Sequence, residues 1–458
     1  MAIAVEINIS ESEGRIIMEK NQFVKVLETE LIPALGCTEP VAFALNGATA
    51  RKYAPGKIKR ITMVGSGLMV IGVQSVGIPN TGGKRGGFLS TVLGITAGCV
   101  DLDMEVLNNV TEADVKAAEE LIEKFIAEKR ISIDMVSPAP SIYLKTTLET
   151  DQHTVTVSMW SEHNGIKYIE KDGKVLFGSR EEETAALEAE KKHHLDSSFL
   201  SVKSIYDFCT NCEISDLTHI KKAMKLTKVL CKDGIDNPFG LQVARTIKEN
   251  IEKGVIANDE IEYICMWTIA GLDARMGGSD YPAMSNTGSG NQGILSSMAP
   301  MAAGEYLNCS EEEIMRAVAF SNLMNIYLDY KSNEYAHLSP MCYCCGVATA
   351  AAASGVAYLH GCTVEQISDT VRSSLGNMAG AICDGAKPSC AYRSYTGLVG
   401  ALHAMLMAEK GLSSSSIEGI VNDTVEGTIE NIYQLQKQCM SSTDEFVCRV
   451  KKMQGTLC

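Results

Sequence analysis

Basic residues are in deficit. Lysine and arginine number 41 against 56 aspartates and glutamates, a formal net charge of −15. Binding to a phosphate backbone needs a concentrated basic surface, and none is visible, so nucleic acid is excluded as a partner. Long apolar runs are missing too. The longest, such as 346–359, are rich in alanine and glycine and fall short of the ~20 residues of a membrane span. The first twelve residues alternate polar and apolar types, with no basic region followed by an apolar stretch. No signal peptide is therefore expected, and the chain reads as a cytoplasmic protein that does not enter a membrane. What remains is 458 residues, 45% hydrophobic and 21% charged, an ordinary composition for a globular protein of two or three domains.

Cysteine, by contrast, is abundant at 16 residues. In a reducing compartment disulfides are disfavoured, so burial, catalysis or metal ligation must account for these thiols. Most serve as buried packing residues, because free cysteine is among the most buried residue types. The question is which do not.

The chain divides by pattern. Residues 20–54 have helical spacing, with Phe23, Val24, Val26, Leu27 and Leu31 recurring on one face. Residues 57–73 are β-like. Strands are expected over 132–136, 141–148, 154–160 and 166–169, and a helix over 113–129. Asp172-Gly173 marks a hairpin turn. The charged stretch 179–195 is a linker or a solvated helix. From 200 to 455 helical patterns follow one another with no convincing strand. The expected fold is α+β: N-terminal helices over 1–54 packed on the C-terminal part, an α/β domain over 55–195, and a large all-α domain over 196–458 carrying the chemistry.

Four segments stand out. In Leu35-Gly36-Cys37-Thr38-Glu39-Pro40 one helix ends and another begins near Thr38, which places Cys37 just ahead of a helix N-terminus, where thiolate is favoured over thiol. In Ser339-Pro340-Met341-Cys342-Tyr343-Cys344-Cys345 serine and proline read as a helix start. Cys342 then falls in the first turn and shares a face with Cys345, while Cys344 points elsewhere, into the core. The third segment, from Cys383 to Cys390, is a short Gly/Pro loop that turns its two cysteines toward each other, with Ser389 capping the helix that follows. Thiols at or just before helix starts suit an anionic cluster. Cys342, Cys383 and Cys390 together would hold a [4Fe-4S] cluster and leave one iron open for Lewis-acid chemistry. Zinc with His337 as fourth ligand is the competing arrangement; the thiolate-rich set, with no second histidine nearby, favours iron–sulfur.

The fourth segment runs from Asp273 to Gly293. Its Gly288-x-Gly290-x-x-Gly293 matches a dinucleotide fingerprint, but no strand precedes it and the acidic residue about twenty positions on is absent. A loop of glycines, hydroxyls and amides ahead of a helix remains a good carboxylate cradle. A second glycine-rich stretch, 77–87, could close over the site. Cys209 and Cys212 have CxxC form without a thioredoxin-like setting and read as incidental.

With Asp273-Ala-Arg275-Met-Gly277-Gly278, Pro282 to Gly293, Leu338-Ser-Pro-Met-Cys342 and Ile382-Cys383-Asp384-Gly385-Ala386 added to the segment around Cys37, the sequence resembles the L-cysteine desulfidase family, relatives of the iron–sulfur L-serine dehydratases. The motifs keep their order over nearly the whole chain. The resemblance implies an oxygen-sensitive lyase in which Cys342, Cys383 and Cys390 ligate the cluster and Cys37 removes the substrate's α-proton. Asn286, Ser289 and Asn291 would hold the carboxylate of a small amino-acid substrate. Cys458, the last residue, is similar to the terminal cysteine with which serine dehydratases can cover the open iron. An L-serine dehydratase, a zinc or pyridoxal enzyme and a non-enzymatic cluster-binding sensor are the alternatives, and homo-oligomerisation is left open.

Overall fold

The computed structural model describes residues 22–35, 38–136, 139–140, 142–188, 196–332, 339–440 and 442–453. Strands are β1 Pro33–Leu35, β2 Ile58–Gly65, β3 Ile131–Met135, β4 Tyr143–Thr150, β5 Thr154–Trp160, β6 Ile166–Lys171, β7 Lys174–Phe177 and β8 Pro282–Met284. Six form one sheet in the order β3-β2-β4-β5-β6-β7. β2 and β3 are parallel, joined by a crossover through helices Gly67–Val73, Gly87–Ala97 and Glu112–Ala127. The other neighbours are antiparallel. Alternation sets the buried face: Ile61 and Met63 of β2, Leu144 and Leu148 of β4, and Val155, Val157 and Met159 of β5 all point inward. Asp172 (φ 51°) and Gly173 (φ 81°) make the expected left-handed turn between β6 and β7.

The rest is helical, so the architecture is α+β with a large helical part. Three central helices, Gly290–Tyr306, Glu311–Ser332 and Val347–Leu359, are buried on nearly every side. A helix surrounded by protein has no polar face to contrast with an apolar one. Small residues let the helices approach: a Cβ on Gly355 would stand 2.7 Å from Ser321 Cβ.

Two cores form, and the N-terminal segment divides between them. Phe23, Val26, Leu27 and Leu31 join the helical core, where Phe23 stacks on Phe208 with ring centroids 4.6 Å apart. Helix Thr38–Tyr53 belongs to the core of the sheet, with Val41, Phe43 and Leu45. Its partner is helix Gly87–Ala97, so close that a Cβ on Gly94 would fall 2.0 Å from Ala44 O. The C-terminal helix Thr443–Met453 returns to this second core through Val447 and Cys448.

The structure departs from the sequence patterns at several points. Residues 57–73 are β only to Gly65; after Ser66 they form helix Gly67–Val73. A short apolar run buried all round carries no period by which strand and helix differ. A strand does follow residue 200: β8, three residues long, pairs antiparallel with β1. Its pairing partner lies some 250 residues away, beyond any local pattern. The charged stretch after Ser179 is helical over Arg180–Glu188. Among the described residues no helix is long and apolar enough to cross a membrane.

His360 ties three of the helices that carry the site. It follows helix Val347–Leu359, and its ring nitrogens lie 2.9 Å from Glu260 and 2.8 Å from Glu409. The hydrogen bond to Glu260 raises its pKa above 6.5; burial opposes this, and Glu409 adds to it. The pair is favourable only with protonated histidine. Its stabilisation is therefore fully present below the unfolded pKa of about 6.5 and is lost as pH rises through the higher folded value. His360→Gln should cost about 1 kcal/mol at pH 6, and chemical denaturation should show the deficit shrinking by pH 9.

Candidate active site

Residues from both cores line one cavity of about 100 Å³. The helical side contributes four thiols: Cys342 and Cys344 from the turn after Ser339, Cys383 from the loop before helix Ser389–Ala408, and Cys390 from that helix's first turn. The sheet side contributes Thr38 and Glu39, which open helix Thr38–Tyr53, and His163 from the turn between β5 and β6.

Backbone pairing brings the two cysteine segments together. Met341 and Ile382 form an isolated antiparallel bridge. Cys342 N donates to Ala381 O at 2.8 Å, and Cys383 N to Pro340 O at 2.7 Å. This pairing displaces the helix start expected at Ser339-Pro340. The helix begins instead at Val347, and the Ser339 hydroxyl bonds Gln436 and Met341 N. Cys344 packs against the helical core as expected, and it also lines the cavity with the other three. Cys345 does turn away from it, and its thiol donates to Cys342 O at 3.3 Å. The expected helix over 389–408 is present, but its cap position belongs to Pro388, so Ser389 is the first helical residue.

The loop from Cys383 to Cys390 is clamped. Asp384 accepts from Lys387 and lies 3.0 Å from Arg393, while Arg393 Nη1 donates to Ile382 O at 2.6 Å. Gly385 is left-handed (φ 93°), and a Cβ there would strike Ile71 at 2.4 Å. Only glycine lets the loop lie against helix Gly67–Val73.

All four thiols have raised pKa values. For Cys342 the hydrogen bond with Cys345 leads and burial follows; for Cys344, Cys383 and Cys390 burial leads. Cys383 is pushed up to about 12, with Cys342 as the next cause. A second thiolate beside the first is penalised until a cation offsets the charge, so metal binding would deprotonate them together. Four soft sulfurs are a donor type that iron–sulfur clusters take. Among the described residues no three His, Cys, Asp or Glu side chains form a group able to hold a single metal ion. A cuboidal cluster makes a different demand, one sulfur at each of several irons. By donor type the four thiols suit such a group, and Lys387 and Arg393 supply positive charge near Cys390 and Cys342.

The polar wall is the segment 286–292. Asn286 and Ser289 exchange backbone hydrogen bonds of 3.0 and 2.9 Å around Thr287 (φ 46°) and Gly288 (φ 76°). A β-branched residue in this conformation is strained by about 1–3 kcal/mol. Thr287 is held by its hydroxyl, which donates to Asp329 at 3.1 Å. The Asn286 amide is committed behind the wall, to Asn322 at 2.9 Å and from Asn325 at 2.9 Å. Ser289 and Asn291 do line the cavity; Ser289 also caps helix Gly290–Tyr306 through Gln292 N. Gly290 and Gly293 have packing reasons rather than a nucleotide. A Cβ at Gly290 would lie 2.3 Å from Arg275 Nε, and one at Gly293 would lie 1.9 Å from Met284 O in β8. Gly293→Ala should therefore cost roughly 3 kcal/mol, since a backbone carbonyl cannot step aside. Thermal unfolding of the variant measures this.

A family model described as serine dehydratase alpha chain matches residues 101–449. The chain belongs to the serine dehydratase alpha chain family. The match spans all four cavity cysteines and the polar wall. Curated relatives cover nearly the full length. A UPF0597 protein of Vibrio campbellii is 35% identical over 433 residues, 93% of this chain and 97% of its own. One from Alkaliphilus oremlandii is 32% identical over 440 residues, 95% and 99%. One from Shewanella pealeana is 33% identical over 429 residues, 92% and 96%.

Of the residues singled out by sequence, Cys342, Cys383, Cys390, Ser289 and Asn291 share the cavity, and Asn286 stands behind it. Cys37, His337 and Cys458 lie outside the described residues, as does the role expected of each. Thr38 and Glu39, next to Cys37, are in the cavity wall. Arg275, Cys344, Glu39 and His163 were not assigned roles from sequence. Arg275 had a signal: a cation in an apolar stretch, three residues before the end of the quoted Asp273–Gly278 motif. His163 had none, because its turn reaches the site only through the sheet. The loop 77–87 does approach, with Gly83 opposite Gly277 O, just beyond Arg275 in sequence.

Proposed function

We propose that the protein is a [4Fe-4S]-dependent lyase that eliminates hydrogen sulfide from L-cysteine, giving pyruvate and ammonia. The observation that carries this reading is four thiols on one cavity wall beside a polar helix start. Cys342, Cys383 and Cys390 would hold the cluster. When bound with one open iron, the cluster supplies a Lewis acid that makes the substrate's sulfur a better leaving group.

The chain's own residues do the rest. Ser289 and Asn291 offer a hydroxyl and an amide to the substrate carboxylate. Asn286 holds their loop in register from behind. Cys37, the residue before Thr38 where a helix begins, would take the α-proton as thiolate. The burial of the cavity keeps the carbanion-like charge away from bulk water. Loss of sulfide leaves aminoacrylate, which hydrolyses in solution.

Family membership supports a second reading, L-serine dehydration at the same site, because the matching description is of a serine dehydratase. Anaerobic purification with counts of iron and acid-labile sulfide, followed by kcat/KM for L-cysteine and L-serine, separates the two. Sulfide and pyruvate from L-cysteine with the larger kcat/KM is the expected result. A larger value for L-serine would select dehydration, and iron without pyruvate from either would overturn the lyase reading.

A further inference from the structure

Among the described residues, and although Glu39 lines the same cavity, Arg275 is buried with no carboxylate in ion-pair contact. Its side chain is 5% exposed, and among the described residues lining the cavity it alone carries a permanent positive charge. Its hydrogen bond is to a neutral amide, Asn291 Oδ1, at 3.1 Å, and its Nε has no partner among the described residues. Buried charges in proteins are paired. A guanidinium left short of partners in a cavity wall is aimed at something the cavity receives.

The surroundings say what that is. Arg275 lies over Gly290, the first residue of helix Gly290–Tyr306, so closely that a Cβ there would fall 2.3 Å from Nε. The helix start brings free backbone N–H groups and the positive end of a 17-residue dipole. Ser289 and Asn291 flank it with a hydroxyl and an amide. Guanidinium, helix N-terminus and two neutral polar groups on one wall make a planar-anion site, and guanidinium matches carboxylate as a two-pronged donor.

We propose that Arg275 is the specificity-determining anchor for the substrate's α-carboxylate, so that the site selects small 2-amino carboxylates rather than thiols in general. The assignment rests on the lyase reading for the identity of the substrate, but not for its charge. In the free protein Asn291 holds the guanidinium in place. On binding, the carboxylate supplies the missing counter-ion. The rival role is counter-charge to the thiolates, since Cys344 also feels this arginine.

The test uses ligands that cannot lose sulfide. Dissociation constants of L-alanine and L-alaninamide are measured by calorimetry on the anaerobically purified protein and on Arg275→Gln and Arg275→Lys. The wild type should prefer L-alanine by at least about tenfold, the scale of a charge-assisted pair. Arg275→Gln should bring the two ligands within about twofold of each other while keeping its iron, and Arg275→Lys should retain part of the preference. A wild type that binds both equally, or an Arg275→Gln protein that keeps the preference, overturns the proposal. So does loss of iron from Arg275→Gln, which marks the counter-charge role. If Arg275→Gln does not fold, the reduced preference of Arg275→Lys at unchanged iron content decides. Sulfide release by the wild type is scored separately, so its absence sinks the lyase reading while the ligand preference still tests Arg275.

Discussion

Cys383→Ala is expected to lose iron and turnover together, the activity by at least about a thousandfold. Cys383 sits where two chain segments are stitched: its N–H donates to Pro340 O at 2.7 Å, and the loop behind it is clamped by Asp384, Lys387 and Arg393. The backbone contacts do not involve the thiol, so alanine leaves the loop in place and removes a sulfur from the cavity. A residual set of Cys342, Cys344 and Cys390 would still offer thiols. Whether Cys344 substitutes is itself informative: Cys344→Ala alone should retain most of the iron if Cys342, Cys383 and Cys390 are the ligands. Iron and acid-labile sulfide analysis on both variants reads this directly. Full iron in Cys383→Ala would remove it from the ligand set.

Cys37→Ser should lose turnover too, by about a hundred- to ten-thousandfold, the range for removal of a positioned base, but should keep the brown cluster. A serine hydroxyl is far less acidic than a thiol and stays protonated where a thiolate would form. The position is chosen by its neighbours: Thr38 opens the helix, and Thr38 and Glu39 both line the cavity. Wild-type rates in Cys37→Ser would require another base, and His163, on the same wall, would be the first to replace. Taken together, the two substitutions separate holding the metal from moving the proton, because both should lose turnover and only Cys383→Ala should lose iron.

The strands of the sheet are readable because Val155, Val157 and Met159 alternate with Thr156 and Ser158, even though Tyr143, Trp160 and Tyr168 form a smaller buried cluster of their own. The same reasoning misread 57–73, where Leu68 to Val73 is apolar without a period. It also missed β8, whose three residues exist as a strand only through β1. At the site, the choice of Cys342, Cys383 and Cys390 rested on expected helix starts. The structure brings them to one cavity for a different reason in part: the Met341–Ile382 bridge, not a helix cap, orients Cys342. Cys344 was assigned to the core because three cysteines in four residues cannot share one helix face. Residues 343–346 are a turn rather than a helix, so Cys344 can pack against the core and still border the cavity.

Residue chemistry and local order determined the family resemblance, the α+β class, the thiol-rich donor set and the glycine-rich polar wall, because these depend on which residues stand next to one another along the chain. Tertiary structure alone decided that Cys344 faces the cavity, that Asn286 stands behind it, that His163 crosses from the sheet, and that Arg275 is buried over Gly290 short of a counter-ion. Those facts are set by packing in three dimensions, from Arg275 and Gly290, 15 positions apart, to segments hundreds of residues apart. Burial turns such pairings into energy, and residue order along the chain does not show which side chains it will bring into contact.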